Sequence, residues 1–115
     1  MPPENQESLT KAKIARIWQG RTTDARADEY EKYLYEEGIK IFARIEGNLG
    51  AQMMRHSKDG ITEFITISYW ENLEAIKNFA GDDIEKPHHL PKDKDYLLEL
   101  PATVKNCELK TNERR

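Results

Sequence analysis

The sequence predicts an α+β fold of the ferredoxin-like type, a βαββαβ sandwich within one domain. Three observations lead to this prediction: two amphipathic helical segments, an Asp-Gly pair between two strand-like runs, and further strand-like runs near both ends. A length of 115 residues suits one domain. We expect residues 1–10 to form a disordered tail, 11–110 the folded domain and 111–115 a frayed end, because both ends are polar and aperiodic.

The first strand and the first helix follow from two different periodicities. Side chains over residues 12–21 alternate as they do in a strand. Thr23 or Asp24 then provides an N-cap, and Gly38 is expected to end or kink the helix. The apolar stripe of this amphipathic helix consists of Ala27, Tyr30, Leu34 and Ile41.

A β-hairpin is predicted where Asp59 and Gly60 separate the runs 51–56 and 61–70. The second run has two unlike faces. Its aliphatic face, which we expect to pack on the helices, carries Ile61, Ile65, Ile67 and Tyr69. Its other face combines small hydroxyls with aromatic rings: Thr62, Phe64, Thr66, Ser68 and Trp70. That combination suits a ligand cavity or a subunit interface, with an ordinary mixed sheet face as the alternative.

The second helix begins after Asn72, a good N-cap residue, and ends at Gly81. Its apolar stripe is Leu73, Ile76, Phe79 and Ala80. A loop over 82–95 follows, and 103–109 reads as the last strand. In this element order both helices cover one sheet face and leave the other bare. Because Phe64 and Trp70 would then form an exposed apolar patch, we expect two copies to pair face to face as a homodimer.

Composition and charge exclude several classes of function. The 18 Lys and Arg are interleaved with 21 Asp and Glu, so the chain lacks the basic footprint that nucleic-acid binding needs. No run reaches the ~20 apolar residues of a membrane span. A single cysteine, Cys107, and the absence of a secretory signal pattern at the start predict a cytoplasmic protein.

The segment SYWENLEAIKNFAGDDIEKP, from Ser68 to Pro87, resembles the antibiotic biosynthesis monooxygenase superfamily of dimeric α/β barrels. The runs ARIWQGRT and EGNLGA are similar to uncharacterised bacterial members, and the resemblance covers about residues 12–110. It implies an oxidoreductase that needs no metal, flavin or other cofactor. In such members a phenol-like substrate is deprotonated and itself passes electrons to oxygen, while the protein supplies a dry pocket, a base and orientation.

Two branches of that superfamily suggest site residues. Quinone-forming members keep a pocket Trp at the position of Trp70, with an Asn at the position of Thr66 and a Tyr at that of Ile76. Heme-degrading members carry a Trp ten residues before an axial His, a spacing that Phe79 and His89 reproduce. Gln19 lies near the place of their first-strand Asn. Neither catalytic set is complete in this sequence.

The resemblance gives His89 and Trp70 as candidate catalytic residues, with histidine as the natural base at neutral pH. Candidate substrate-pocket residues are Trp18, Tyr30, Phe64, Thr66, Phe79 and His88. The alternative is that the two loop histidines are ordinary surface residues. Adjacent histidines make a poor metal site because their side chains point apart, so we expect no metal. Arg16 shares a face with Ile14 and Trp18, and could bind an anionic substrate or pair with Glu63.

The sequence therefore favours a cofactor-independent monooxygenase-like homodimer that acts on a small aromatic or polyketide-like substrate. Two alternatives stay open: a noncatalytic module that binds a small ligand, and a heme-binding or heme-degrading member. No Ser-His-Asp arrangement or glycine-rich phosphate loop is visible, so hydrolase, kinase and dehydrogenase functions have no support.

Overall fold

The computed structural model describes residues 11–113. Its strands are β1 (Ile14–Thr23), β2 (Asn48–Lys58), β3 (Ile61–Trp70) and β4 (Lys105–Glu108). Its helices are α1 (Asp24–Leu34), α2 (Lys40–Phe42), α3 (Leu73–Ala80) and α4 (Asp93–Tyr96), with a π-helical turn (Tyr35–Ile39) between α1 and α2. The predicted tail at 1–10 and the last two residues of the predicted frayed end lie outside the described residues. No helix in the described chain is long and apolar enough to cross a bilayer.

The four strands form one antiparallel sheet in the order β2-β3-β1-β4. The central strands β1 and β3 pair over ten positions, from Ile14 opposite Trp70 to Thr23 opposite Ile61. This is the strand order of the split βαβ unit, so the predicted ferredoxin-like fold is confirmed. The hairpin is confirmed as well, since Asp59 and Gly60 have φ of 54° and 82°, the positive values that its two-residue turn requires.

The first helix differs from the prediction in its second half. Gly38 neither ends nor breaks it but lies buried within the π turn. Because a π turn holds more residues than an α turn, the residues after it are rotated about the helix axis. Ile41, which was predicted to face the core, is therefore half exposed. Phe42 packs against the core in its place. Asp24 also makes no cap; its carboxylate accepts a 2.7 Å hydrogen bond from the Thr62 hydroxyl on β3.

The sheet presents its aromatic and hydroxyl face to the helices, so the prediction that the aliphatic face packs there is wrong. Phe64 and Trp70 are fully buried. The Tyr30 ring of α1 meets Phe64 edge-on at 5.1 Å between centroids, and Phe79 of α3 stacks on Trp70 at 5.6 Å. Large aromatic rings bury more apolar area than aliphatic side chains do, which favours this orientation.

The opposite face of the sheet carries the residues that the helices do not cover. We call it the outer face; its apolar members are Ala15, Ile17, Met54, Ile65, Ile67 and Tyr69. Most are partly buried by their neighbours, while Met54 is 45% exposed. The predicted apolar patch of Phe64 and Trp70 does not exist, and the face that a second copy could cover is this aliphatic one.

The second helix begins and ends as predicted. The Asn72 carboxamide oxygen accepts a 2.9 Å hydrogen bond from the Ala75 amide, and Gly81, with φ of 90°, follows the last residue. Its buried side differs slightly from the predicted stripe, because Leu73 is 48% exposed while Ala75 and Ile76 are buried. Short α4 interrupts the loop that leads to β4.

Candidate functional site

A cavity lies between the inner face of the sheet and the helices. Its enclosed part has a volume of about 50 Å³, and about 540 Å³ lie between its walls when the open mouth is counted. Its wall is formed by β1, β3, α1, the π turn, α2, α3, α4 and the loops on either side of α4. The apolar members are Trp18, Leu34, Ile39, Phe42, Trp70, Phe79, Leu90 and Val104, and the polar members are Arg16, Thr66, Ser68, His88 and Asp93. An apolar chamber with a few polar groups is typical of small-molecule sites.

Aromatic rings form one side of this cavity. Phe79 stacks on Trp70 and meets Phe42 edge-on, with centroids 5.2 Å apart. The His88 imidazole lies 5.5 Å from the Phe42 ring and 5.2 Å from the Phe79 ring. Because His88 is exposed and also lines the cavity, it stands at the mouth. The imidazole is therefore a titratable group held against an aromatic chamber.

Hydroxyl groups from β3 line the floor. The Ser68 oxygen accepts a 2.8 Å hydrogen bond from the Trp70 indole nitrogen, which fixes the indole and leaves the Ser68 hydroxyl hydrogen able to donate. Thr66 lies two residues before Ser68 on the same face of β3 and lines the cavity as well. The floor thus offers donors that could orient a polar ligand group.

Asp93 of α4 is a carboxylate in the wall and is only 2% exposed. It accepts hydrogen bonds of 2.9 Å from the Tyr30 hydroxyl and from the Leu90 amide. Burial raises the pKa of the Asp93 carboxyl, while the Leu90 and Tyr30 bonds and the charges of His89 and His88 oppose that rise. Burial and the neighbouring carboxylate also raise the pKa of the Tyr30 hydroxyl.

Arg16 of β1 is 6% exposed and also lines the cavity, with its guanidinium carbon 6.0 Å from the centroid of the Phe79 ring. Its Nη1 donates to the Ile84 carbonyl oxygen and, at 3.0 Å, to the Asn106 carboxamide oxygen. Its Nη2 donates to the Lys86 carbonyl oxygen at 2.9 Å. The predicted alternative of a pair with Glu63 is wrong, since Glu63 lies opposite Arg21 on the outer face.

The structure brings together some of the sequence-predicted site residues and separates others. Those in the wall are Trp18, Thr66, Trp70, Phe79 and His88. Tyr30 and Phe64 are buried beside the cavity, in the core between α1 and the sheet. His89, preferred as the base on its spacing, is exposed and lies outside the wall.

Asp93 is a residue of the cavity wall that the sequence did not predict, because it lies in a charged stretch that resembles a solvated loop. A signal for it exists in Leu90-Pro91-Lys92-Asp93. Pro favours a turn, and an Asp side chain can accept a hydrogen bond from a nearby backbone amide. The 2.9 Å bond from the Leu90 amide to Asp93 has this form. Within residues 11–113 no three His, Cys, Asp or Glu side chains cluster closely enough to hold a metal ion.

A family model described as antibiotic biosynthesis monooxygenase matches residues 14–88, which is well over half of the chain. The chain belongs to the antibiotic biosynthesis monooxygenase family. The matched segment contains both central strands, α1, α3 and His88, and so covers most of the cavity wall. No curated protein matches the chain.

Solved structures of other proteins share the fold. A candidate antibiotic biosynthesis monooxygenase from Bacillus cereus superposes with a TM-score of 0.64 at 15% identity, covering 90% of this chain and 99% of that one. The heme degrader MhuD from Mycobacterium tuberculosis, with two hemes bound in its active site, gives a TM-score of 0.59 at 19% identity. The match covers 88% of this chain and 99% of the MhuD chain. At these identities the likeness concerns the fold alone.

Proposed function

We propose that this family member is a cofactor-independent monooxygenase that oxidises a small aromatic, phenol-like substrate in the cavity between the sheet and the helices. The observation that carries the proposal is His88, a potential base held against the aromatic wall of a chamber that also presents the hydroxyls of Ser68 and Thr66. Trp70, Phe79 and Phe42 offer ring surfaces for an aromatic substrate. His88 takes the role of base that the sequence had assigned to His89.

The chemistry balances without an external reductant. His88 accepts the phenolic proton, and the resulting phenolate is electron-rich enough to reduce oxygen. For a substrate with a ring methylene group, one oxygen atom replaces its two hydrogens as a carbonyl and the other leaves as water. The substrate supplies all four electrons. The apolar wall limits access of water to the reactive intermediate.

Oxygen consumption by metal-free protein tests this proposal. A panel of anthrones, hydroquinones and catechols is measured with wild type, His88→Gln, His89→Gln and the control His56→Gln. His56 lies on β2 and faces away from the cavity. A general base contributes about 10²- to 10⁴-fold, so we expect His88→Gln to lose at least about 100-fold and both other variants to stay near wild type.

Other outcomes favour the other functions. Silence of the wild type across the panel, with ligands still binding, would favour a noncatalytic binding module. A loss in His89→Gln in place of His88→Gln would restore the base suggested by the sequence. Heme binding is the third function; a porphyrin is much larger than the aromatic compounds of the panel and would require the cavity to open further. A Soret shift on adding heme, lost in His88→Ala or His89→Ala, would favour it.

The proposal includes a homodimer formed through the outer face, where Ile17, Ile65 and Ile67 lie side by side on adjacent strands. Wild type should sediment at twice the 13.4 kDa of one chain. Ile67→Lys should sediment as a monomer, because a lysine there would be buried without a partner. Ile41→Lys, on the exposed side of α2, is the matched control and should remain dimeric. A monomeric wild type at micromolar concentration would contradict the dimer.

The cytoplasmic location of the protein stays a prediction.

A further inference from the structure

The charge of Arg16 is a feature of the cavity that the proposed oxidation does not yet use. The side chain is buried, and burial lowers the pKa of its guanidinium, although arginine remains charged in proteins. Among residues 11–113 it forms no ion pair with an Asp or Glu. Buried charges are normally paired, so an unpaired one in a cavity wall indicates a missing anion.

The oxygens that hold Arg16 are all uncharged. They are the carbonyls of Ile84 and Lys86 and the carboxamide of Asn106. Asp93, the carboxylate of the same wall, is instead bonded to Tyr30 and Leu90 and forms no ion pair with Arg16. The positive charge of Arg16 is therefore fixed in position without being neutralised by the protein residues described.

Arg16 also keeps free hydrogen-bonding capacity. A guanidinium has five N–H groups, and the three bonds use two on Nη1 and one on Nη2. Among the described residues no acceptor is bonded to the two remaining N–H groups, on Nε and Nη2. The guanidinium lies beside the cavity that Arg16 lines, with its central carbon 6.0 Å from the centroid of the Phe79 ring.

We propose that Arg16 is the anion-binding group of this cavity and takes an anionic oxygen attached to an aromatic ring, a phenolate or an arenecarboxylate. The ring lies against the Trp70 and Phe79 side of the wall, and the oxygen pairs with the free N–H groups of the guanidinium. The inference rests on the proposed use of the cavity for aromatic ligands and not on the oxidation itself. For a phenol, this pairing favours the ionised form that gives up electrons.

Spectral titration of 4-nitrophenol tests the proposal directly, because its phenolate absorbs visible light and its neutral form does not. Charge-assisted hydrogen bonds should make the phenolate bind about 10- to 100-fold more tightly than the phenol. The apparent pKa of the bound ligand should then fall by about one to two pH units below that of the free ligand. Both tryptophans line the cavity, so quenching of their fluorescence confirms where the ligand is bound.

Variants assign the effect to Arg16. Arg16→Gln should abolish the fall in the pKa of bound 4-nitrophenol. Arg16→Lys keeps the positive charge but loses the paired N–H donors of the guanidinium, so it should retain part of that fall. Arg21→Gln is the matched control on the same strand; its guanidinium pairs with Glu99 on the surface, so this variant should behave as wild type. His88→Gln should keep the fall. Because Arg16 also holds the loop at Ile84 and Lys86, circular dichroism first establishes that each variant is folded.

A second arm uses benzoate and benzyl alcohol as competitors of 4-nitrophenol. We expect benzoate to displace 4-nitrophenol at least about tenfold more effectively than the neutral benzyl alcohol does. Comparing the affinity of benzoate with that of phenolates then shows whether the cavity prefers an arenecarboxylate or a phenolate. Equal displacement, an unchanged pKa of bound 4-nitrophenol in wild type, or no binding at millimolar concentration would each overturn the proposal. A pKa fall that persists in Arg16→Gln and disappears in His88→Gln would do so too. A large fall without any oxygen consumption would reject only the monooxygenase function.

Discussion

Removal of the Tyr30 hydroxyl tests whether Asp93 is held in the cavity wall as a buried carboxylate. Tyr30→Phe deletes one oxygen atom from a fully buried ring and leaves the contacts of that ring with Phe64 and Tyr96 in place. The deleted hydroxyl donates to Asp93 at 2.9 Å, so the carboxylate keeps only the bond from the Leu90 amide.

The expected cost follows from the charge and burial of the acceptor. A hydrogen bond to a charged group contributes about 1.5 to 3 kcal/mol, and water cannot easily replace the hydroxyl at a residue that is 2% exposed. We therefore expect the free energy of unfolding to fall by about 2 kcal/mol at pH 7. The bond lowers the pKa of Asp93, so its contribution should be largest while the carboxylate is ionised and should shrink as the pH falls and the carboxyl protonates.

Urea denaturation at pH 7 and pH 4 measures both quantities. Tyr33→Phe is the matched control, since Tyr33 lies one turn further along α1 and its hydroxyl accepts an exposed bond from the Lys92 amide. The control should cost no more than about 0.5 kcal/mol, because water can replace that bond. If Tyr30→Phe cost as little as Tyr33→Phe, the assignment of Asp93 as the buried acceptor of this bond would be refuted, and a loss that did not shrink at the lower pH would contradict the effect of the bond on the Asp93 pKa.

Three further changes probe other parts of the structure. Asn72→Ala removes the cap bond to Ala75 and should cost about 1 kcal/mol in urea denaturation; no loss would contradict the cap. Gly47→Ala should cost about 2 to 5 kcal/mol, because its new Cβ would lie 2.3 Å from the Ala75 Cβ and its φ is 89°. Gly60→Ala is the matched control: its φ is 82°, but the space around it is open, so it should cost about 1 kcal/mol. Equal losses would contradict the close contact. As the pH rises above the ordinary Asp pKa of 3.8, wild type should lose stability relative to Asp93→Asn. The reason is that a raised pKa in the native state favours folding only while the carboxyl is protonated. Unfolding free energies of the two proteins that change in parallel with pH would contradict the raised pKa.

The fold could be predicted from the sequence because its signals are local. The Asp59-Gly60 turn, the Asn72 cap and the alternation within β3 each depend on a few neighbouring residues. The face that the helices cover is different. Alternation separates Phe64 and its neighbours from the aliphatic residues, but both sets are apolar enough to be buried, and only packing against α1 and α3 decides between them.

The cavity wall was predictable in its aromatic residues and less so in its polar ones. Trp70 and Phe79 follow from the family resemblance and lie in the wall. His88 and His89 are adjacent in a loop, so their side chains diverge, and spacing along the chain does not reveal which one faces the cavity. Arg16 and Glu63 lie on opposite sheet faces, a fact that depends on the register between β1 and β3.

The π turn between α1 and α2 amounts to one extra residue inserted into an otherwise regular helix. It is what brings Ile39 and Phe42 to the cavity and turns Ile41 outward. A regular α-helix over the same residues would turn Ile41 to the wall in place of Phe42. Deleting one residue from the turn would instead give a regular helix in which Phe42 keeps its place at the wall. The aromatic character of this part of the cavity therefore depends on the π turn, which compensates for the extra residue in the chain.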